Sequence, residues 1–344
     1  MSTIFDVAKA AGVSTATVSR VLNGSGTVAP QTVKTVLDIV DKLSYTPNKQ
    51  AQNLRKSTTG TVLVMLADIT NPYYSNVFAG INVKAQEYGY NIYLSDIRRR
   101  NAEEILKNAI ESKNADGAIL LSSNYDDNWL GDYCNGFPIV ECCEYVENID
   151  IPHVSVDNYK AGYDATKYLI DLGYRNIGMI STENKFMSTR EREHGYKDAL
   201  KKNGINPSAG NVAYADINYS FSSGVNAAKK LLTAQNRPDA LFCIGDSVAL
   251  SAVTCAKELG LKVPEDVSIV GFDDVIYTKM IHPYITTIIQ PCEKLGECAM
   301  DNLKDLIDGK KIEDRYVILP HGFIERESTK PCRNISDSIT NRSK

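Results

Sequence analysis

The stretch DVAKAAGVSTATVSRVLNG, residues 6–24, decides how the chain begins, because its apolar residues are small and regularly spaced. One face of a first short helix is formed by Ile4, Val7, Ala8 and Ala11. Gly12 can adopt the positive φ angle that ends this helix, and Ser14 is a favourable N-cap for a second one. Small side chains let the two helices approach closely, so the stretch predicts a helix-turn-helix.

The second predicted helix turns Val18, Val21 and Leu22 inward and leaves polar residues and one arginine exposed. A helix-turn-helix offers such side chains to the major groove of DNA. Arg20 can bond guanine through two parallel hydrogen bonds, and the methyl group of Ala16 can touch thymine. The alternative is that these are ordinary exposed helix residues, but the helix-turn-helix frame favours groove contact.

A third helix is predicted from Pro30 to about Tyr45, because the apolar residues between them keep a helical spacing. Proline is well placed in its first turn. Ala29 occupies the cap position, for which alanine is a weak choice. The helix ends there because Pro47 disfavours helical backbone at the residue before it.

Residues 48–60, NKQAQNLRKSTTG, contain a short polar and basic segment with one large apolar residue, Leu54. A helix from Asn48 to about Lys56 has no hydrophobic face and is too short to be stable alone. One interpretation is a flexible linker. The other is a hinge helix that folds when DNA and a partner chain supply contacts, with Leu54 wedged between base steps in the minor groove.

Charge is distributed unevenly along the 344 residues. Residues 1–60 carry a net charge of +4, whereas the remainder carries −8. A basic head on an acidic body suggests a polyanionic partner for the head, although ordinary surface scatter explains the charge equally well. No run of 18 apolar residues and no secretory signal are visible, so a soluble protein without a membrane span is expected.

The sequence contains only weak matches to motifs for catalysis or for binding a cofactor or a metal. The eight cysteines show no C-x-x-C spacing, which favours reduced thiols over disulfides or a metal site. The four histidines are scattered, and GSGTVA at 24–29 fits a dinucleotide fingerprint only formally, because it follows a helix. We therefore predict no enzyme activity, no cofactor and no metal.

Short apolar runs bounded by Gly, Pro, Asn or Asp predict buried strands at 61–67, 91–96, 116–122, 137–143, 152–157, 176–181, 211–215, 240–244 and 267–272. Amphipathic stretches between most of them predict helices at about 74–88, 102–113, 127–134, 159–172, 190–203, 221–234 and 247–259. This alternation indicates two α/β lobes with parallel sheets. Residues 331–344 lack periodicity and are expected to form a disordered tail.

Ligands of open parallel sheets bind beyond the C-terminal ends of the strands. The residues that follow predicted strands include Asn71, Tyr73, Tyr74, Asp216, Tyr219, Gly245, Asp246 and Asp273. Aromatic rings can stack on a hydroxyl-rich ring, and charged groups can bind its hydroxyls in pairs. On the residues alone, Tyr73 and Tyr74 as core aromatics and Asp273 as a helix cap remain open alternatives.

The head sequence is similar to the DNA-binding head of the lactose/galactose-repressor family of bacterial transcription regulators. The resemblance continues in TGTVLVMLADITNPYYSNVFAGI, LGLKVPEDVSIVGFDD, ITTIIQP and FIERES, and covers roughly residues 3–328. It implies an α/β chain with a helix-turn-helix head at 1–47, a hinge helix and linker at 48–60, and a two-lobed periplasmic-binding-protein-like body at 61–330. The implied first lobe is 61–157 plus 290–319 and the second is 160–285 plus 320–330, with crossings near 157–160, 285–290 and 319–322.

The resemblance and the motifs together give two sets of predicted site residues. The predicted DNA contacts are Thr3, Ser14, Thr15, Ala16, Thr17, Ser19, Arg20, Asn23, Tyr45, Asn48, Ala51, Leu54 and Arg55. The predicted effector contacts are Asn71, Tyr73, Tyr74, Cys143, Arg192, Tyr219, Asp246 and Asp273. Arg192 matches the family's effector-binding arginine, although the residues alone favour a surface ion pair for it. Asp273 matches the hydroxyl-binding aspartate.

Two departures from the family pattern leave the ligand open between a sugar and a nucleoside or other glycoside. Gly245 replaces a polar residue, and Cys143, Glu144 and Tyr145 stand where many sugar-binding members have Asp or Arg. The resemblance implies a cytoplasmic, homodimeric repressor that binds a palindromic operator under the control of a small hydroxyl-rich effector. A solute-binding receptor and an enzyme on the same fold are the alternatives; the head opposes the first, and the missing catalytic constellation opposes the second.

Overall fold

The computed structural model describes residues 2–45, 58–98 and 100–332. The chain divides into two compact units, Met1–Thr59 and Gly60–Lys344. The predicted hinge helix, with Asn48, Ala51, Leu54 and Arg55, lies outside the described residues. Of the predicted tail, the described part is held to the body, because the backbone N–H of Cys332 donates to the carbonyl oxygen of Leu172 at 2.8 Å.

The head unit contains three helices, α1 (Ile4–Ala11), α2 (Thr15–Leu22) and α3 (Pro30–Lys42). A capping box between Thr3 and Asp6 starts α1, and Gly12 ends it with a φ of 65°. Ser14 caps α2 by accepting from the backbone N–H of Thr17 at 3.1 Å. Ala29 makes no side-chain cap bond to α3, as predicted. The buried core of the head is Val7, Ala8, Val18 and Val36.

Lobe 1 of the body is built on a six-stranded sheet in the order β11-β5-β4-β3-β1-β2. Its strands are β1 (Thr61–Leu66), β2 (Asn91–Asp96), β3 (Gly117–Leu120), β4 (Ile139–Cys142), β5 (His153–Val156) and β11 (Tyr316–Leu319). All of its strand pairs are parallel. The helices of this lobe are α4 (Pro72–Glu87), α5 (Ala102–Glu111) and α10 (Cys292–Ile307).

Lobe 2 has a second six-stranded sheet in the order β12-β10-β9-β8-β6-β7. Its strands are β6 (Ile177–Thr182), β7 (Val212–Ala215), β8 (Ala240–Cys243), β9 (Ser268–Asp273), β10 (Thr286–Ile289) and β12 (Gly322–Ile324). Its helices are α6 (Asn158–Asp171), α7 (Met187–Lys202), α8 (Phe221–Leu232) and α9 (Asp246–Glu258). The pairing is parallel except between β10 and β12. The two predicted doubly wound parallel sheets are thus confirmed.

The chain passes between the lobes three times, after β5, after β10 and after β11. The second crossing lies at the end of the predicted range 285–290, because β10 at Thr286–Ile289 is still hydrogen-bonded within the sheet of lobe 2. The weakly predicted helix at 127–134 is a short 3-10 helix, Asn128–Asp132. In the described part of the chain, no helix is long and apolar enough to cross a membrane.

Each lobe contains two helices that cross at a pair of glycines. In lobe 1, a Cβ atom at Gly80 of α4 would lie 1.9 Å from the carbonyl oxygen of Glu293 in α10. In lobe 2, a Cβ atom at Gly195 of α7 would lie 2.2 Å from the carbonyl oxygen of Tyr159 in α6. Such distances leave no room for a side chain, so glycine is required where the helix backbones touch.

Candidate functional site

Arg192 lies on α7 and is buried, with 6% of its surface exposed. Its Nε donates to Oδ1 of Asn158 at 2.9 Å, and its Nη1 donates to the carbonyl oxygen of Ile244 at 2.8 Å. The guanidinium stacks 3.5 Å from the ring centroid of Phe272. No described residue accepts a hydrogen bond from Nη2. The fold therefore fixes this arginine and leaves it donor capacity for a ligand.

Asp273 ends β9 with a φ of 115°, which is rare for a residue with a side chain. Its Oδ1 accepts from Nε2 of Gln290 at 2.7 Å. Burial raises the pKa of the Asp273 carboxyl to about 6, against the lowering effects of the Arg192 charge and of hydrogen bonds from Gln290 and the Asp246 backbone. Near neutral pH this carboxylate is ionised and can accept a hydrogen bond.

Asp246 is fully buried at the start of α9, and both of its carboxylate oxygens are engaged within the protein. Oδ2 accepts from the backbone N–H of Val275 at 2.9 Å, and Oδ1 accepts from the hydroxyl of Thr287 at 2.7 Å. Burial and the neighbouring Asp273 charge raise the pKa of Asp246 well above its usual value. Asp246 is therefore sealed within the protein, whereas Asp273 is partly exposed.

Lobe 1 contributes aromatic and thiol groups. Tyr73 and Tyr74 lie buried in the first turn of α4 with their rings edge to face, 5.3 Å between centroids. Asn71 caps this helix by accepting from the backbone N–H of Tyr73 at 3.0 Å. Cys143, just after β4, is buried with a φ of 75°. Burial raises the pKa of both tyrosine hydroxyls and of the thiol, so all three stay protonated.

Tyr219 faces the same region from lobe 2. Its hydroxyl accepts from Nδ2 of Asn184 at 2.9 Å. A Cβ atom at Gly245 would lie 3.8 Å from the Tyr219 ring and 3.5 Å from Oδ2 of Asp273. The ring and the carboxylate thus converge beside this glycine, where the missing side chain leaves space.

The two lobes touch directly through Glu144. Its carboxylate accepts from the backbone N–H of Ser188 at 3.0 Å and from the Ser188 hydroxyl at 2.5 Å. Glu144 follows β4 in lobe 1, whereas Ser188 lies in the first turn of α7 in lobe 2. Burial raises the pKa of Glu144 to about 7, although Ser188 and the Arg192 charge lower it.

Sequence reasoning missed three of the residues that hold the site, Asn158, Asn184 and Gln290. Asn158 follows β5, Asn184 follows β6 and Gln290 follows β10. The rule that ligand residues follow parallel strands would have found all three. Gln290 also accepts from the Tyr73 hydroxyl at 3.4 Å, so it connects Asp273 of lobe 2 to α4 of lobe 1.

A cavity of about 750 Å³ in the described body lies elsewhere in lobe 1. It is lined by Phe137, Pro152 and Arg315, among others, near the N-terminal ends of β4 and β5. None of the predicted effector residues lines it. In the described residues, no group of three His, Cys, Asp or Glu side chains could hold a metal ion, and all eight cysteines are free.

In the head, the predicted DNA-contacting residues lie on α2 and next to it. Ala16, Arg20 and Asn23 are exposed, and Thr15, Thr17, Ser19 and Tyr45 are partly exposed. The hydroxyls of Thr3 and Ser14 are engaged in capping α1 and α2. Arg20 lies in the last turn of α2, where it can reach beyond the helix. One face of α2 thus presents short polar side chains beside one arginine.

Comparison with known proteins gives matches to both units. Residues 3–48 match the sequence profile of bacterial regulatory proteins of the lacI family, and residues 166–329 match that of the periplasmic binding protein-like domain. Catabolite control protein A of Priestia megaterium is 36% identical over 331 residues, which cover 95% of this chain and 99% of that protein.

Two solved structures extend this likeness. The lac repressor dimer bound to operator and the anti-inducer ONPF is 27% identical with a TM-score of 0.85, covering 96% of this chain and 99% of that one. The complex of the transcriptional regulator CelR with cellobiose is 31% identical with a TM-score of 0.73, covering 95% and 100%. The chain therefore belongs to the lacI family of bacterial regulatory proteins, which are DNA-binding transcription regulators and not enzymes.

Proposed function

We propose that this protein is a cytoplasmic, homodimeric repressor that binds an inverted-repeat operator and responds to a neutral, hydroxyl-rich effector, a sugar or a nucleoside. The proposed division is a head at 1–47, a hinge at 48–60 and an effector-binding body at 61–330. The lac repressor dimer with operator and anti-inducer, and the CelR complex with cellobiose, support both the DNA and the effector assignments.

One observation carries the effector assignment. Arg192 and Asp273 are fixed on different elements of lobe 2 and form no salt bridge with each other, although the Arg192 charge lowers the pKa of Asp273. A guanidinium that donates and a carboxylate that accepts, held apart, suit a pair of neighbouring hydroxyls. The Tyr219 ring beside them suits the apolar face of the same ligand ring.

The remaining predicted effector residues receive different roles. We assign Tyr73, Tyr74 and Cys143 to the lobe 1 wall of the cleft, because they are buried at the C-terminal ends of β1 and β4. Asn71 acts as the cap of α4. Asp246 orients the turn after β9 and strand β10 by its bonds to Val275 and Thr287.

On the DNA side, we propose that two heads place their α2 helices in successive major grooves of the operator, and that paired hinge segments insert Leu54 at its centre. The exposed residues Ala16, Arg20 and Asn23 would contact base edges. The basic character of residues 1–60 would supply the phosphate contacts.

Two assays test this function. A thermal-shift screen of sugars and nucleosides should find a compound that raises the melting temperature by mass action. Fluorescence anisotropy with inverted-repeat oligonucleotides should find one bound in preference to random duplex. Leu54→Ala should then weaken operator binding without changing effector binding, whereas Leu54→Met, which keeps an apolar wedge, should bind nearly as well as the wild type. An unchanged operator affinity in Leu54→Ala would reject the wedge.

A further inference from the structure

A charged contact joins the lobes outside the effector residues. Arg190, in the first turn of α7, donates to both carboxylate oxygens of Glu147, at 2.9 Å from Nη1 and 2.7 Å from Nη2. Glu147 lies in the loop after β4 of lobe 1. A guanidinium that binds a carboxylate through two parallel hydrogen bonds fixes both the distance and the orientation of its partner.

Three further contacts between the lobes surround this ion pair. The Arg190 guanidinium lies 5.0 Å from the ring centroid of Tyr125, and the Tyr125 backbone N–H donates to the carbonyl oxygen of Lys185 at 2.9 Å. Nζ of Lys185 lies 2.5 Å from Oδ2 of Asp126. Within lobe 1, the backbone N–H of Glu147 donates to the carbonyl oxygen of Tyr125 at 3.0 Å. Two loops of lobe 1 thus form one surface that receives the start of α7.

The start of α7 depends on this surface, because the helix has no cap of its own. Phe186 occupies the N-cap position and makes no side-chain cap bond. An uncapped helix end leaves backbone N–H groups without partners and frays readily. Lobe 1 supplies the missing acceptor, since Glu144 accepts from the Ser188 N–H at 3.0 Å. Arg192 follows two residues beyond Arg190 in the same helix, so a first turn held by lobe 1 adds to the contacts that Arg192 makes with Asn158 and Ile244.

We propose that Arg190 and Glu147 are positioning residues that fasten the start of α7 to lobe 1 and thereby hold Arg192 at the effector site. The effect on effector binding rests on the proposed function, in which Arg192 binds the ligand. The contact between Arg190 and Glu147 does not depend on that function. The pair is partly exposed, with 35% and 47% of the two side chains accessible. Salt screens such a pair, so the fastening can be released.

The test is hydrogen–deuterium exchange of the backbone amides of residues 186–193 in the full-length protein, without ligand or DNA. Arg190→Glu and Glu147→Arg should each speed this exchange roughly two- to fivefold, because each places like charges face to face across a partly exposed contact. The double swap restores opposite charges and should return exchange toward the wild-type rate. Arg190→Lys keeps the charge without the planar fork and should lie in between.

Lys201→Glu is the matched control, since it reverses a charge on the last turn of the same helix. It should leave the exchange of residues 186–193 unchanged. Raising the salt concentration from about 0.05 to 1 M should speed exchange in the wild type but not in Arg190→Glu, because salt screens a repulsion in that variant. The proposal is overturned if the double swap exchanges as fast as the single variants, or if wild-type exchange is indifferent to salt. Either result would leave effector and operator binding, and so the proposed function, untouched.

Discussion

The two lobes pack their helices in the same way but bring different chemistry to the cleft. In lobe 1, α4 and α10 meet at Gly80 and Gly296; in lobe 2, α6 and α7 meet at Gly162 and Gly195. In lobe 1, the helix that makes this contact, α4, also holds the buried tyrosines in its first turn. The lobe 2 contact includes Arg192 itself, because a Cβ atom at Gly162 would lie 2.6 Å from the Arg192 carbonyl oxygen and 2.8 Å from its Cα.

This difference indicates a division of labour within the proposed effector site. Lobe 1 supplies protonated tyrosine hydroxyls, whereas lobe 2 supplies a fixed guanidinium and an ionised carboxylate beside the Tyr219 ring. The glycine contact in lobe 2 positions a charged group through its backbone. The glycine contact in lobe 1 positions the start of α4. Disturbing them should therefore have similar effects on stability but different effects on binding.

The largest effect is expected from adding a methyl group at the two glycine contacts. Gly162→Ala and Gly80→Ala should each lower the free energy of unfolding by about 1–3 kcal/mol, because the added methyl meets helix backbone and forces the helices apart. Gly162→Ala should also weaken effector binding sharply, since Arg192 must move, while Gly80→Ala should weaken it less. Urea denaturation and calorimetric titration measure the two quantities.

Gly136→Ala serves as the control, because nothing lies within 4 Å of the atom that it adds. Its free energy of unfolding should match that of the wild type. Equal losses of effector affinity in Gly162→Ala and Gly80→Ala would remove the distinction between the lobes.

A smaller effect is expected from pH, through one carboxyl of each lobe. Burial raises the pKa of Asp273 in lobe 2 to about 6 and that of Glu144 in lobe 1 to about 7. The folded state thus holds these protons more tightly than the unfolded chain, whose carboxyls titrate near pH 4. Their contribution to stability is fully present below about pH 4 and is lost as pH rises through about 6 and 7.

Asp273→Asn should therefore reduce the loss of stability as the pH rises to about 6. Glu144→Gln should reduce the loss of stability as the pH rises to about 7. Effector affinity should change in the opposite direction, rising with pH through about 6 as Asp273 becomes an acceptor. Urea midpoints and effector titrations between pH 4 and 8 measure both profiles. A pH profile of stability identical in the wild type and both variants would contradict the burial of these carboxyls.

Local features of the sequence predicted most of the fold. The spacing of small apolar residues, the Gly12 turn and the Ser14 cap are short-range signals, and the structure contains all three. The alternation of apolar runs and amphipathic stretches likewise predicted two parallel sheets. The range for the second lobe crossing, 285–290, could not be narrowed from the sequence, because only pairing across the sheet shows that Thr286–Ile289 belongs to lobe 2.

The site was predictable by region but not by the role of each residue. Asp246 follows β8 and Asp273 ends β9, yet only packing reveals that the first is fully buried and bonded to Val275 and Thr287 while the second stays partly exposed. Arg192 was selected by resemblance, since its sequence neighbours Glu191 and Glu193 suggest a surface ion pair instead. Pairing of Arg190 with Glu147 joins segments on different lobes, and no local pattern encodes it. The hinge residues, with Leu54, stay a prediction outside the described residues.

The central claim is that the cleft and the DNA-binding head are coupled, and reciprocal titration tests it most directly. Operator affinity is measured with and without the ligand found in the thermal-shift screen, and ligand affinity with and without operator, in the wild type and in Arg192→Lys. The account predicts the same factor in both directions, about 5–150-fold, and its loss in the variant, whose ammonium cannot replace the planar fork. An operator affinity that is the same with and without a ligand bound in the cleft would contradict the account.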